Sequence, residues 1–220
     1  MKYPEDFINK IICGDCLEAL KEIPDKSMDL VLTDPPYGID FNPKNIKWNK
    51  TKNTFQKIIN DNKDFCLKWF PEIERVSKHY VIFGGNNFIE FIPKRYGWIV
   101  WDKRLSEKCD RIIGSPFELA ITDLTQKYKI YRVYSAGVIN PDSQKGNNEP
   151  RFHPTQKPVI LFKKILEEFS KENDLILDPF LGSGTTAVAC KQLKRNFIGI
   201  EISEKYCEIA RQRLKQKILL

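Results

Sequence analysis

The sequence predicts an α/β fold, a mostly parallel, doubly wound sheet whose strands come in circularly permuted order. Three observations predict it. Short apolar runs alternate with segments of helical spacing along the chain, the pattern of βα units feeding a parallel sheet. A glycine loop, Gly182-Ser183-Gly184, lies between an apolar run and a helical segment late in the chain. After the next apolar run ends at Glu201, 19 residues remain. The strands that complete the sheet must therefore precede the loop rather than follow it.

Taken in order, residues 10–13 are a short apolar run and 17–22 have helical spacing. Residues 29–33 (DLVLT) are apolar and stop at Asp34-Pro35-Pro36, so they read as a buried strand. Residues 38–62 are polar and unpatterned, a long loop. Residues 64–76 are helical, 80–83 (YVIF) a strand ending at Gly84-Gly85, and 87–92 a short helix before Pro93. Strands follow at 98–101, 117–122 and 128–134, and 135–152 read as a loop. The last part alternates most clearly. A helix over 158–169 leads to a strand over 175–177, then a helix over 185–193 and a strand over 197–202. A final helix covers 204–216, with Ser203 placed to cap it.

Composition narrows the class. A chain of 220 residues with 41% hydrophobic content suits one globular domain. The net charge of +7 fits a polyanionic partner without demanding one. The first ten residues hold no apolar stretch of signal-peptide type, and no run reaches the length of a membrane helix, so a cytoplasmic protein with no membrane partner is expected. The six cysteines are scattered, and Cys13 and Cys16 make a single CxxC. With His79 and His153 as the two histidines, no second ligand pair at metal spacing exists. No metal is expected, and the thiols read as reduced.

Two loops carry chemistry. Gly182-Ser183-Gly184-Thr185-Thr186-Ala187 fits G-x-G-x-x-A between strand and helix, and Glu201 ends the next strand. Glycines let the backbone approach a ligand, the helix start presents free N–H groups, and the acid can accept from ribose hydroxyls. That unit should bind a molecule containing adenosine. The alternative is a plain strand-to-helix turn with a surface glutamate. A dinucleotide oxidoreductase is disfavoured, because its second mononucleotide half would have to follow Glu201. The other loop, Asp34-Pro35-Pro36-Tyr37-Gly38, leaves a buried strand where open α/β sheets bind ligands. An exocyclic amine is a poor nucleophile because its lone pair is delocalised into the base. Asp34 and the Pro35 carbonyl can each accept one of its hydrogens and localise that pair, the prolines stiffen the turn, and Tyr37 can stack on a base taken out of the duplex. An ordinary turn is the competing reading.

Together the two motifs resemble the catalytic and cofactor motifs of the amino DNA methyltransferases, which modify adenine N6 or cytosine N4. With the catalytic motif first, the chain resembles the permuted beta group of that family. His153-Pro154-Thr155-Gln156-Lys157-Pro158 and Cys13-Gly14-Asp15 also fit. The resemblance covers about residues 11–215 and is weakest over 39–62 and 103–150. It implies a Rossmann-like methyltransferase domain over 1–220, with a catalytic half 1–102, a short variable or recognition region 103–150 and a cofactor half 151–220. It implies S-adenosyl-L-methionine as cofactor and double-stranded DNA as substrate. Asp34, Pro35, Pro36 and Tyr37 would activate the amine. Asp178, Phe180, Gly182, Ser183, Gly184 and Thr185 would form the cofactor floor, Glu201 would hold the ribose, and Asp15 the cofactor adenine. Thr155 and Lys157 would meet the methionine carboxylate. Independently, an N-cap role is open to Asp15 and a solvated one to Lys157. The Asp-Pro-Pro-Tyr form looks like the adenine branch, since many cytosine enzymes carry Ser at the Asp34 position.

The chain departs from many relatives in lacking room for a long recognition segment, with about 50 residues between Trp101 and His153. A short recognition site, a homodimer, a partner subunit and a cognate restriction enzyme are the arrangements this suggests. The loop after Tyr37 offers Lys44, Lys47, Trp48, Lys50 and Lys52 for DNA, with a solvated lysine-rich loop as the bland reading. The competing functions are a cytosine-N4 enzyme, methylation of RNA or a protein amide, and an idle binding subunit.

Overall fold

A computed structural model describes residues 2–39, 59–90, 96–104, 115–124, 128–134 and 156–216. The elements are β1 (Lys10–Cys13), α1 (Cys16–Lys21), β2 (Leu30–Thr33), α2 (Lys63–Val76), β3 (Tyr80–Phe83), β4 (Gly97–Asp102), β5 (Phe117–Thr122), β6 (Tyr128–Arg132), α3 (Val159–Phe169), β7 (Leu175–Asp178), α4 (Thr185–Gln192), β8 (Asn196–Glu201) and α5 (Glu204–Lys215). The strands form one sheet in the order β1-β8-β7-β2-β3-β5-β4-β6. The first five of these run parallel to one another. β5 is antiparallel to both β3 and β4, and β6 returns to parallel pairing with β4.

The central strands are buried along their whole length, as parallel strands covered on both faces must be. Alternate residues feed two cores. Val31, Ile82, Leu177 and Ile198 pack on one face with Leu20, Trp69 and Ile73 of α1 and α2. Leu30, Leu32, Val81, Phe83 and Ile176 pack on the other with Phe162 and Ile165 of α3 and Ala189 of α4. Phe83 and Phe162 stack at 5.6 Å, a contact worth about 1 kcal/mol beyond its area.

The chain leaves β7 for β8 on one side and β2 for β3 on the other. The direction of winding therefore reverses between β7 and β2, where open α/β sheets bind their ligands. These neighbours come from opposite ends of the sequence, which is the permuted order expected. Thr33 Oγ1 donates to Asp178 Oδ1 at 2.6 Å across that junction, tying the end of β2 to the end of β7.

Two local expectations are corrected. The helix expected over 87–92 is a 3-10 turn over Gly85–Asn87, and residues 88–90 are not helical. Gly84 at φ 74 sets a left-handed turn straight after β3, so the chain bends before a helix can start. Ser203 does stand at the N-cap of α5, but its hydroxyl makes no capping bond. Its own N–H is instead taken by Glu201 Oε1 at 2.8 Å.

Candidate active site

β2 delivers Asp34-Pro35-Pro36-Tyr37 to the carboxyl edge of the sheet at the winding reversal. Both oxygens of Asp34 are engaged. Tyr37 Oη donates to Oδ1 at 2.6 Å, and Lys157 Nζ donates to Oδ2 at 2.5 Å. The loop exit is pinned by Asp61, whose Oδ1 accepts the N–H of Gly38 at 2.6 Å and of Ile39 at 3.2 Å. The Tyr37 ring lies edge-on to Phe88 at 6.3 Å. Gly84 closes over the ring: a Cβ there would stand 2.2 Å from Tyr37 Cε1.

Lys157 is 4% exposed and lies between two carboxylates, Asp34 at 2.5 Å and Glu118 of β5 at 3.0 Å. Burial works against its charge, but Asp34, Tyr37 and Glu118 outweigh burial and hold the ammonium well above its ordinary pKa. Burial pushes the Asp34 carboxyl above its usual range, and the Lys157 ammonium opposes that rise. Burial also raises the Tyr37 hydroxyl, with the Asp34 charge adding to the effect. Tyr37 is therefore a neutral donor, and Asp34 a charge-paired acceptor.

The glycine loop follows β7. Gly182 at φ 54 has nothing within 4 Å of the place a Cβ would take, so it leaves open space beside the backbone. Gly184 at φ 91 serves packing: a Cβ there would lie 2.7 Å from that of Ala210 on α5. Glu201, the last residue of β8, accepts the Gly182 N–H at 2.8 Å through Oε2. Burial raises its pKa, while the N–H groups of Ser203, Gly182 and Ile202 hold it down. Asp178 takes hydroxyl hydrogens from Thr33 and Thr186 and the N–H of Phe180 at 3.1 Å. Burial pushes its carboxyl up to about 6.

A cavity of about 290 Å³ opens over these loops. Asp15, Asp34, Pro35, Pro36, Tyr37, Phe180, Gly182 and Glu201, all singled out in the sequence, line it. Asp15 lines the cavity and is also the N-cap of α1, its side chain accepting the Leu17 N–H at 2.7 Å. Asp178, Ser183, Gly184 and Thr185, also expected for the cofactor, stand behind the wall. Ser183 Oγ donates to Gln156, Thr185 Oγ1 donates to the Lys157 carbonyl, and Asp178 braces the loop. Lys157 departs furthest from expectation. Its ammonium donates to Asp34 and, at 3.4 Å, to Tyr37 Oη, pairs with the Glu118 charge and lies outside the cavity lining, where the resemblance places it on a cofactor carboxylate.

Thr155 and the loop residues Lys44, Lys47, Trp48, Lys50 and Lys52 lie outside the described residues. Sequence reasoning missed Asp61, Phe65, Tyr206 and Glu118. Phe65, in the first turn of α2, meets Phe180 edge-on at 6.0 Å and lines the cavity with Tyr206. No local motif marks any of the four, because each reaches the site through tertiary packing. Among the described residues no His, Cys, Asp and Glu cluster is arranged to hold a metal ion. No described helix is long and apolar enough to cross a membrane.

Among the described residues the lining carries four carboxylates, Asp15, Asp34, Asp61 and Glu201, and no lysine or arginine. Such a wall repels a pyrophosphate and favours a cation with flat rings and hydroxyls. At Asp34 both oxygens are already engaged by Tyr37 and Lys157, so an amine entering that corner must displace one of those donors.

Comparison with known proteins gives three findings. A family model described as DNA methylase matches residues 102–212. The Type II methyltransferases M.HinfI of Haemophilus influenzae and M.HpaI of Haemophilus parainfluenzae are each 31% identical to the chain. Those matches cover 96% and 93% of this chain, and 69% and 74% of the relatives. Among solved structures, the M1.HpyAVI–SAM complex is 25% identical with a TM-score of 0.59, covering 94% of this chain and 99% of the other. The cytosine-N4-specific PvuII DNA methyltransferase shares the fold at a TM-score of 0.64 and 16% identity, over 96% of this chain and 87% of that one.

Proposed function

This chain belongs to the N6/N4 DNA methylase family, and on that premise we propose that it transfers a methyl group from S-adenosyl-L-methionine to adenine N6 in double-stranded DNA. The observation that carries the reading is the acid-lined cavity that Asp34 and Glu201 share. S-adenosyl-L-methionine, bound in the M1.HpyAVI complex, has the features this lining favours: a sulfonium cation, an adenine ring and a ribose diol. Bound here, it would supply an electrophilic methyl group. We assign Glu201 to the ribose hydroxyls, Phe180 and Phe65 to the adenine ring, Asp15 to its amine, and Gly182 to close backbone approach, a reading supported by their shared cavity lining.

The chain's own residues prepare the nucleophile. Asp34 and the Pro35 carbonyl accept the two hydrogens of the target amine, which localises the nitrogen lone pair. Tyr37 is the neutral donor to Asp34, so it is the contact that yields when the amine arrives, and its ring then meets the base. As the nitrogen forms its bond to the methyl carbon, the carbon–sulfur bond breaks and its electron pair stays on sulfur. The nitrogen becomes cationic, and Asp34 takes the surplus proton. Burial favours the neutral form of Asp34, and the Lys157 ammonium opposes it.

We read the chain as a single domain over 1–220, and we assign duplex binding to the Lys44, Lys47, Trp48, Lys50 and Lys52 stretch. The aspartate at position 34, rather than serine, supports adenine as the target. The deciding experiment incubates the protein with duplex DNA and labelled S-adenosyl-L-methionine, then digests the DNA. Label in N6-methyladenosine is the expected result. Label in N4-methylcytosine would retain the mechanism and replace the base. Label accepted by RNA and not by DNA would overturn the substrate.

A further inference from the structure

Glu118 lies on β5, the strand that runs against its neighbours, and belongs to neither sequence motif. Its Oε2 faces Lys157 Nζ at 3.0 Å, and its Oε1 takes Lys103 Nζ at 2.6 Å. Lys157 passes on to Asp34 Oδ2 at 2.5 Å, and Asp34 Oδ1 to Tyr37. The result is a ladder of alternating charge, Lys103, Glu118, Lys157 and Asp34, with two positive and two negative groups. It runs from the partly buried Lys103 side chain, 16% exposed, to the reacting carboxylate.

We propose that Glu118 is a positioning residue, holding the Lys157 ammonium between itself and Asp34 so that the catalytic carboxylate stays free to accept the target amine's hydrogens. The inference rests on the methyl-transfer reading above. A lysine stem is flexible, and a buried ammonium seeks several acceptors. With Asp34 and Glu118 both present, the ammonium is shared. Without the Glu118 charge it turns wholly onto Asp34 and crowds Oδ1 as well, the oxygen that Tyr37 yields to the target amine. Removing Lys103 has the opposite effect, since an uncompensated Glu118 draws Lys157 away and adds its own negative charge beside Asp34. The same contacts set the acidities: Lys157 and Lys103 hold Glu118 below its usual range against burial. Tyr37 from the β2 loop and Asp178 from the end of β7 also face Asp34, and both remain in either variant.

The test is single-turnover methyl transfer from a preformed cofactor complex, followed as a function of pH in wild type, Glu118→Gln and Lys103→Met. Losing the Glu118 charge should lower the pKa of Asp34, moving the acidic limb of the profile to lower pH. Lys103→Met should move the acidic limb to higher pH. Cofactor affinity should be unchanged in both, because neither residue lines the cavity. Opposite shifts establish the ladder. A purely structural role would lower the rate and leave the profile in place, and unmoved profiles in both variants overturn the inference while wild-type transfer stands. Should Glu118→Gln not fold, the Lys103→Met profile decides alone. No transfer by wild type at any pH overturns the methyl-transfer reading and this inference together.

Discussion

Gly84→Ala should impair chemistry far more than it impairs cofactor binding. Gly84 sits at φ 74, a conformation that costs a residue with a Cβ about 1–2 kcal/mol. The added methyl would stand 2.2 Å from Tyr37 Cε1, 2.5 Å from Cδ1 and 2.8 Å from Cζ. Ordinary contact begins near 3.4 Å, so the ring must retreat by roughly 1 Å. Phe88 lies edge-on to the ring and limits where it can go. The displaced ring carries its hydroxyl off Asp34 Oδ1, a bond of 2.6 Å, and leaves the place a target base needs. A misplacement of about 1 Å is worth up to about 100-fold in rate. Single-turnover transfer at saturating cofactor reads that loss, and calorimetric titration of S-adenosyl-L-methionine should show little change. Wild-type transfer by a folded Gly84→Ala protein would refute the claim that this glycine positions the catalytic tyrosine.

Three further expectations follow from the same geometry. Glu201→Gln removes a charged acceptor from the cavity and should weaken S-adenosyl-L-methionine binding by about 10- to 100-fold by calorimetry, and an unaltered Kd would remove Glu201 from the ribose site. Burial places Asp178 at about 6 in the folded chain against an ordinary 3.8, so folding favours its protonated form. Its contribution is complete below pH ~4 and is lost as pH rises through about 6, a change of about 3 kcal/mol. Urea unfolding across that range should show the loss in wild type and not in Asp178→Asn, and parallel slopes would contradict it. Replacing Lys44, Lys47, Lys50 and Lys52 by glutamine should flatten the dependence of log K for DNA on log salt by about 3–4 units, and an unchanged slope would move duplex binding elsewhere.

The sequence disclosed the sheet because burial on both faces leaves a compositional mark. Runs such as Leu30–Thr33 and Tyr80–Phe83 are apolar stretches followed closely by proline or glycine, and each is a central strand buried along its whole length. It disclosed the permuted order through the order of the motifs, because the Asp34-Pro35-Pro36-Tyr37 loop precedes the glycine loop. The helix expected after β3 failed because periodicity does not register the left-handed turn at Gly84, which the packing of Tyr37 demands. The motifs located both loops that line the cavity but could not divide labour within the glycine loop. Gly182 opens space beside the backbone while Gly184 makes room for Ala210, and that difference lies in what surrounds each residue. Lys157 was legible as a cation near the site, and its place between Asp34 and Glu118 was not. That pairing joins residues 123 positions apart through a strand that carries no motif.

The central claim is that one cavity holds two separable tasks, with amine activation at Asp34 and cofactor capture at the glycine loop and Glu201. The direct test loads wild type and Asp34→Ala with labelled S-adenosyl-L-methionine, adds duplex DNA, and counts label in the digested nucleosides. Cofactor retention by both proteins, with label reaching N6-methyladenosine in wild type and none in Asp34→Ala, is the predicted result. Transfer by Asp34→Ala at the wild-type rate would contradict the account.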